Sequence, residues 1–203
     1  MATFILIRCA EMSHFFAYLA RMKFIRRWGL MRNTRTENIQ EHSLQVSMVA
    51  HALPVIRNER FGGQLDPARV ALLGVYHDAE EVITSDLPTP IKYFNPQIKE
   101  AFDNLKLVAK QRLLDMLPAD MEPSYRTLFF EDPAEADAHQ LVRAADRICA
   151  YLKCIEEAKA GNLEFARAEQ QVWRSLFQLN VPEVAVFMEE FIPSFRLTID
   201  ELN

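Results

Sequence analysis

A chain of 203 residues, half of them apolar, is long enough for one domain with a core that needs no covalent staples. Its formal charge of -5 argues against a long polyanion as partner, because proteins that hold polynucleotides carry a basic footprint, yet it allows a small anion in a local basic pocket. Three cysteines, Cys9, Cys149 and Cys154, form no CxxC pair, and their odd number does not close a disulfide framework, which points to a reducing cytoplasm.

The apolar run Ala2 to Ile7 is too short to span a membrane and lacks the basic leader of a signal peptide, so no membrane is expected as a partner. Residues 1–12 read as an N-terminal extension, ordered or not, because Met12 directly precedes a good helix start at Ser13; residues 13–203 read as one domain. The first helix places Phe15, Phe16, Leu19 and Met22 on roughly one face and should run to about Phe24. A basic loop follows, in which Arg26, Arg27, Arg32 and Arg35 surround Trp28. Taken alone, such a loop is as readily a solvated charge run as a site. Asn38, with Glu41 three residues on, resembles a capping box for a second helix with Leu44, Met48, Ala52 and Leu53 inward and His42 on its first turn.

Asp66-Pro67 supplies an N-cap and a proline at the first helical position, starting the helix that carries Tyr76-His77-Asp78-Ala79-Glu80-Glu81. Gly74 inside it costs about 1 kcal/mol relative to alanine, which suggests that something needs room beside it. Pro88 and Pro90 take the chain out of the helix into a loop. Asn95-Pro96 opens a long helix through Ile98, Phe102, Leu105, Val108, Ala109, Leu113 and Leu117, and a shorter one occupies Met121 to Phe130. Asp132-Pro133 opens another long helix, with Asp146 well inside it, ending near Gly161-Asn162. Two further helices, about Phe165 to Leu179 and Pro182 to Phe191, precede the tail. No alternating strand pattern appears, and the fold class expected is an all-α bundle.

Adjacent helical residues point about 100° apart, so His77 and Asp78 meet only at something between their directions, for which a divalent cation is the natural candidate. The remaining ligands must come from elsewhere. His51 follows His42 on the opposite side of its helix, His14 opens an apolar helix as a packing or capping residue, and His139 lies about 10.5 Å along the helix axis from Asp146. His42, His77, Asp78 and Asp146 are left as the sensible set.

That order, a histidine, then a His-Asp pair, then a distant aspartate, resembles the HD-domain metal-dependent phosphohydrolases. The segments Glu37 to Val46, Tyr76 to Ala79, Asp86 to Pro90 and Ala144 to Cys154, with the Arg27-Trp28 pair, are similar to the bacterial 5'-deoxynucleotidase family of YfbR type. The resemblance implies an HD-domain helical bundle that hydrolyses deoxyribonucleoside 5'-monophosphates to deoxyribonucleosides and phosphate, as a homodimer. It implies that His42, His77, Asp78 and Asp146 hold one divalent cation such as Co, Mn or Zn, that Glu81 serves the attacking water, and that Arg27 contacts phosphate. Trp28 and the loop Asp86, Leu87, Pro88 and Thr89 then surround the sugar, with His42, Asp78 and Asp146 also facing the substrate and Asp78 and Arg27 joining Glu81 in catalysis.

The residue types suit that chemistry. A bound cation offsets phosphoryl charge and makes hydroxide available near neutrality, while Arg27 adds bidentate donors to the phosphate where a lysine offers a point charge. On a continuous helix with His77 at about 0° and Asp78 at about 100°, Glu81 falls near 40°, over the metal, and Glu80 near 300°, where it reads as an exposed helix residue. Two other readings compete: an HD-domain phosphohydrolase acting on nucleoside triphosphates or another phosphate ester, and a catalytically silent helical module that binds a nucleotide or a partner.

Overall fold

The computed structural model describes residues 12–202, so the expected extension up to Glu11, including Cys9, lies outside the described residues. Helix α1 (Phe15–Leu19) tightens into a 3-10 segment, Ala20–Phe24. The Ser13 hydroxyl accepts the Phe15 N–H at 3.4 Å and donates to the Met116 carbonyl at 2.6 Å, tying the start of the fold to the end of a later helix. Then come α2 (Ile39–Phe61), α3 (Pro67–Tyr76), α4 (Glu81–Thr84), α5 (Thr89–Lys92), α6 (Pro96–Leu114), α7 (Glu122–Phe129), α8 (Ala136–Lys159), α9 (Ala166–Phe177) and α10 (Pro182–Glu190). Among the described residues the only sheet-like pairing is an isolated bridge between Arg26 and Asn38. Among the described residues, no helix is long and apolar enough to cross a membrane.

The caps follow from the sequence. Asn38, Asp66 and Asn95 each accept a backbone N–H of the first turn through the side chain, and Pro67 and Pro96 stand where a helix has no use for an N–H. Gly62 ends α2 with φ 70°, a left-handed conformation that glycine adopts without a Cβ penalty.

Two apolar cores form. The larger packs Val46, Ala50 and Leu53 of α2 and Val70 and Leu73 of α3 against Leu141, Ala145, Ile148 and Leu152 of α8, and Val184 and Phe187 of α10 close it. The smaller gathers Phe15, Ala79, Leu113, Leu114 and Phe129, with Tyr76 and Tyr125 ring-edge contacts around it. At the α2–α3 crossing a Cβ on Gly74 would lie 3.0 Å from Ser47 Cα, so the room that this glycine implied is used by the neighbouring backbone.

The expected inward face of α2 is only partly right. Leu53 is buried, but Leu44 and Met48 are 62% and 60% exposed, and the core face is Val46, Val49, Ala50 and Leu53. The physical reason is that His42 and Ser43 occupy the inner face at the start of α2, which rotates the leucine and methionine outward. In α6, Leu105 and Val108 are likewise exposed while Phe102, Ala109 and Leu113 are buried.

Candidate active site

Asp78 immediately precedes Ala79 of the smaller core and Asp146 immediately follows Ala145 of the larger one, so the site sits at the seam between them. The loop before α2 is folded back onto that helix by backbone bonds, Arg27 N–H to the Glu37 carbonyl at 3.0 Å and Ile39 N–H to the Ile25 carbonyl at 2.9 Å. This return brings Arg27 and Trp28 beside His42, which is fully buried on the first turn of α2. Trp28 itself takes φ 59°, an unfavourable left-handed conformation for a bulky residue.

His42, His77 and Asp146 each offer a ligand atom, and these atoms all lie within 4.8 Å of one another. His42 Nε2 is 3.0 Å from Asp146 Oδ1. His77 Nδ1 lies 2.8 Å from the Gly74 carbonyl; donation to that oxygen leaves Nε2 as the lone-pair nitrogen facing the cluster. That buried Nε2 has no aligned hydrogen bond, although Asp78 Oδ2 is 3.0 Å away. Asp78 Oδ2 is also 3.9 Å from His42 Nε2, so this carboxylate flanks the trio. Two imidazoles and two carboxylates in such a space fit a borderline divalent ion.

The electrostatics agree with the geometry. Burial and the Arg27 charge hold His42 below its ordinary value, which keeps it neutral as a ligand must be. Burial alone would lower His77 too, but the Asp78 and Asp146 charges outweigh it and lift it to about 9, so without a cation Nε2 holds a proton, and a bound cation would take that proton's place. Desolvation opposes ionisation of Asp146, yet its bond to His42 and the Arg27 charge hold it at about 2. Arg27 approaches both carboxylates, with Nη1 3.6 Å from Asp78 Oδ2 and Nη2 4.0 Å from Asp146 Oδ1.

The continuous helix assumed for residues 77–81 is absent. After Tyr76 the chain turns through i+3 to i bonds, Ala79 N–H to the Tyr76 carbonyl and Glu81 N–H to the Asp78 carbonyl, before α4 begins. Angles counted at 100° per residue therefore do not carry across it. Glu80 is not an exposed helix residue: it is 1% exposed and Glu81 5%. Lys106 Nζ of α6, which the sequence did not single out, lies 3.1 Å from a carboxylate oxygen of each and 3.8 Å from Asp78 Oδ1. Burial and the neighbouring Asp78 charge push Glu81 well above the ordinary carboxylate range, with Lys106 acting in the opposite sense. Its Oε2 is buried without a partner, a place for a proton.

A cavity of about 660 Å³ reaches the cluster through Arg27 and Asp146. One wall is Trp28 with Asp86, Pro88 and Thr89; the far wall is Ala168, Gln171, Val172 and Ser175 of α9. Leu87 is not among the lining residues, and His42, His77 and Asp78 lie behind Arg27 and Asp146. Trp28 packs against Phe165 with ring centroids 5.3 Å apart, and its Nε1 donates to Glu37 Oε2 at 3.0 Å. Lys106 and the α9 wall are parts that the sequence reading missed because each meets the site from a distant segment, and the role of Glu37 was missed because it depends on how the loop from Arg27 folds back.

Comparison with known proteins agrees with this architecture. The family model described as 5'-deoxynucleotidase YfbR-like matches residues 14–195. A 5'-deoxynucleotidase of Vibrio cholerae is 53% identical over 191 residues, covering 94% of this chain and 98% of its own. One from Cronobacter sakazakii is 51% identical, covering 94% and 96%. Among solved structures, an HD-domain phosphohydrolase from Listeria innocua superposes with TM-score 0.74 at 20% identity, over 90% of this chain and 88% of its own. A cyanophage S-2L HD phosphohydrolase bound to dA and one catalytic zinc ion superposes with TM-score 0.58 at 21% identity, over 88% and 96%.

Proposed function

The chain belongs to the YfbR-like 5'-deoxynucleotidase family, and on that premise we propose how its own residues carry out the hydrolysis of deoxyribonucleoside 5'-monophosphates. It is a phosphomonoester hydrolase, so the reaction joins water to phosphorus and releases the 5'-oxygen of the nucleoside. His42, His77, Asp78 and Asp146 hold one divalent cation, a reading supported by the convergence of three of them and by the zinc ion named for the cyanophage phosphohydrolase. When bound, such a cation offsets phosphoryl charge and supplies hydroxide near neutral pH.

The remaining steps belong to the side chains. Arg27 takes the phosphate, moving its guanidinium donors from Asp78 and Asp146 onto phosphoryl oxygens. Trp28 and the loop through Asp86, Pro88 and Thr89 enclose the deoxyribose, with Trp28 in the space that a 2'-hydroxyl would need, and the base extends toward α9. Glu81 keeps its proton at the partnerless Oε2 and gives it to the departing 5'-oxygen, which spares the nucleoside from leaving as an alkoxide. Glu81 also makes the turn at 77–80 useful, because burial there is what retains the proton.

The observation that carries this reading is the set of ligand atoms within 4.8 Å of one another, of which Asp146 joins Arg27 in lining the cavity. Phosphate release from matched deoxyribo- and ribonucleoside monophosphates and triphosphates, with Co, Mn, Zn or Mg added, tests it. Release from the deoxyribonucleoside monophosphates should dominate, and comparable release from triphosphates would favour the broader phosphohydrolase reading. A homodimer and a cytoplasmic location fit the exposed Leu44 and Met48 and the free, buried Cys149 and Cys154; sedimentation checks the first.

A further inference from the structure

Glu37 lies outside the cavity lining, and while its Oε1 stands 3.8 Å from His42 Nδ1, the other oxygen of its carboxylate joins the two residues assigned to phosphate and sugar. Oε2 accepts Arg27 Nε at 3.1 Å and Trp28 Nε1 at 3.0 Å. The Glu37 backbone carbonyl also accepts the Arg27 N–H, so the same residue holds Arg27 at both ends. From this shared acceptor we infer that Glu37 is a positioning residue that sets the distance between the phosphate grip and the sugar wall, and thereby the preference for deoxyribose over ribose. The inference rests on the assignment of Arg27 to phosphate and Trp28 to the sugar.

Three features give one carboxylate this leverage. First, Trp28 is held in a left-handed backbone conformation, so the loop by itself does not favour the indole's position. Second, the indole packs tilted on Phe165, and this apolar contact has none of the directionality of the Nε1 bond to Glu37. Third, Arg27 and Glu37 side chains are each only 12% exposed, so the charge-assisted bond is little weakened by water. A bare apolar wall rejects an added hydroxyl weakly, about a hundredfold at best, and such rejection falls away once the wall can retreat. A ring pinned to the group that holds the phosphate cannot retreat without releasing the phosphate.

The chemistry also predicts a graded series. In Glu37→Gln the amide oxygen still accepts both N–H groups, while Arg27 loses one of its three neighbouring carboxylates. In Glu37→Ala both N–H groups lose their acceptor. Trp28→Phe keeps an aromatic ring over Phe165 but has nothing to donate, so it removes the sugar limb of the clamp from the other side.

The experiment measures kcat and KM for matched deoxyribo- and ribonucleoside monophosphates in the metal-loaded wild type, Glu37→Gln, Glu37→Ala, Trp28→Phe and Trp28→Ala. The preference ratio should fall by about tenfold or more in Glu37→Ala and in Trp28→Phe, stay near wild type in Glu37→Gln, and fall no further in the Glu37→Ala/Trp28→Phe double variant. A loss of stability alone would lower both activities and leave the ratio unchanged. A normal ratio in folded Glu37→Ala, with Trp28→Ala shifting it, overturns the clamp while the sugar assignment stands. A normal ratio in all variants overturns both. If Glu37→Ala fails to fold, Trp28→Phe decides, because an unchanged ratio there means that the shared acceptor does not set the sugar wall.

Discussion

At the scale of single residues, the proposed cation ligands and Arg27 were legible because chemistry restricts their types, although only His77 and Asp78 are neighbours in sequence and His42 and Asp146 stand 104 positions apart. Glu81 was legible only in part. The reading from a continuous helix separated it from Glu80 by direction, but the turn after Tyr76 buries both and places Lys106 between them. Both carboxyls are buried with an unpartnered Oε2, and we propose Glu81 as the proton donor because burial and the neighbouring Asp78 charge push it well above the ordinary carboxylate range. Glu81→Gln should keep its metal and bind nucleotide while kcat falls by about a hundredfold or more, the usual size of a general acid's contribution. Glu80→Gln keeps the amide in hydrogen-bond reach of Lys106 and should retain kcat within a fewfold of wild type. Metal content by atomic emission and single-turnover rates check both, and a greater loss in Glu80→Gln than in Glu81→Gln would exchange their roles.

Among the elements, helix starts were the most readable feature, since Asn38, Asp66 and Asn95 carry the capping chemistry in their own side chains. Helix faces were less so, because exposed Leu44 and Met48 look the same in sequence as core residues. The loop from Arg26 to Asn38 was the least readable. Its order comes from α8, where Glu157, 1% exposed, accepts the N–H and hydroxyl of Thr34 at 2.9 and 2.7 Å, Asn162 Nδ2 at 2.7 Å, and Lys153 Nζ, which also donates to the Arg35 carbonyl. Burial opposes the charge of Glu157, but these donors prevail and hold its pKa at about 2. A carboxylate lowered on folding stabilises the protein above its unfolded value, and the stabilisation is lost as pH falls toward the folded value. From an unfolded pKa of about 4.3 this amounts to about 3 kcal/mol, lost between roughly pH 5 and pH 2. Urea unfolding across that window should show wild-type stability falling more steeply than that of Glu157→Gln, which should be weaker by about 2 kcal/mol at pH 7. Parallel curves would show that Glu157 carries no such load.

For the molecule as a whole, the all-helical class followed from period and caps, but the division into two cores did not, because no local pattern says which helices pair. That division gives the cation a structural consequence. His42 comes from α2, His77 from the end of α3, Asp146 from α8, and Asp78 stands directly before Ala79 of the smaller core. A bound ion therefore ties both cores at their seam, while the unfolded chain, with His42 and Asp146 separated by 104 positions, has no such site. Binding to the folded state alone stabilises by about 2.7 kcal/mol at a hundredfold excess over Kd. For a chain of this size that corresponds to roughly 5–10 °C in Tm. Wild type titrated with Mn, Co or Zn after chelation should show this rise. Glu81→Gln, which keeps every ligand, should show it in full, and His77→Ala, which loses Nε2 from the cluster, should show little or none. Because the measurement needs no turnover, it separates a lost cation from a lost proton donor. An equal rise in wild type and His77→Ala would place the ion elsewhere.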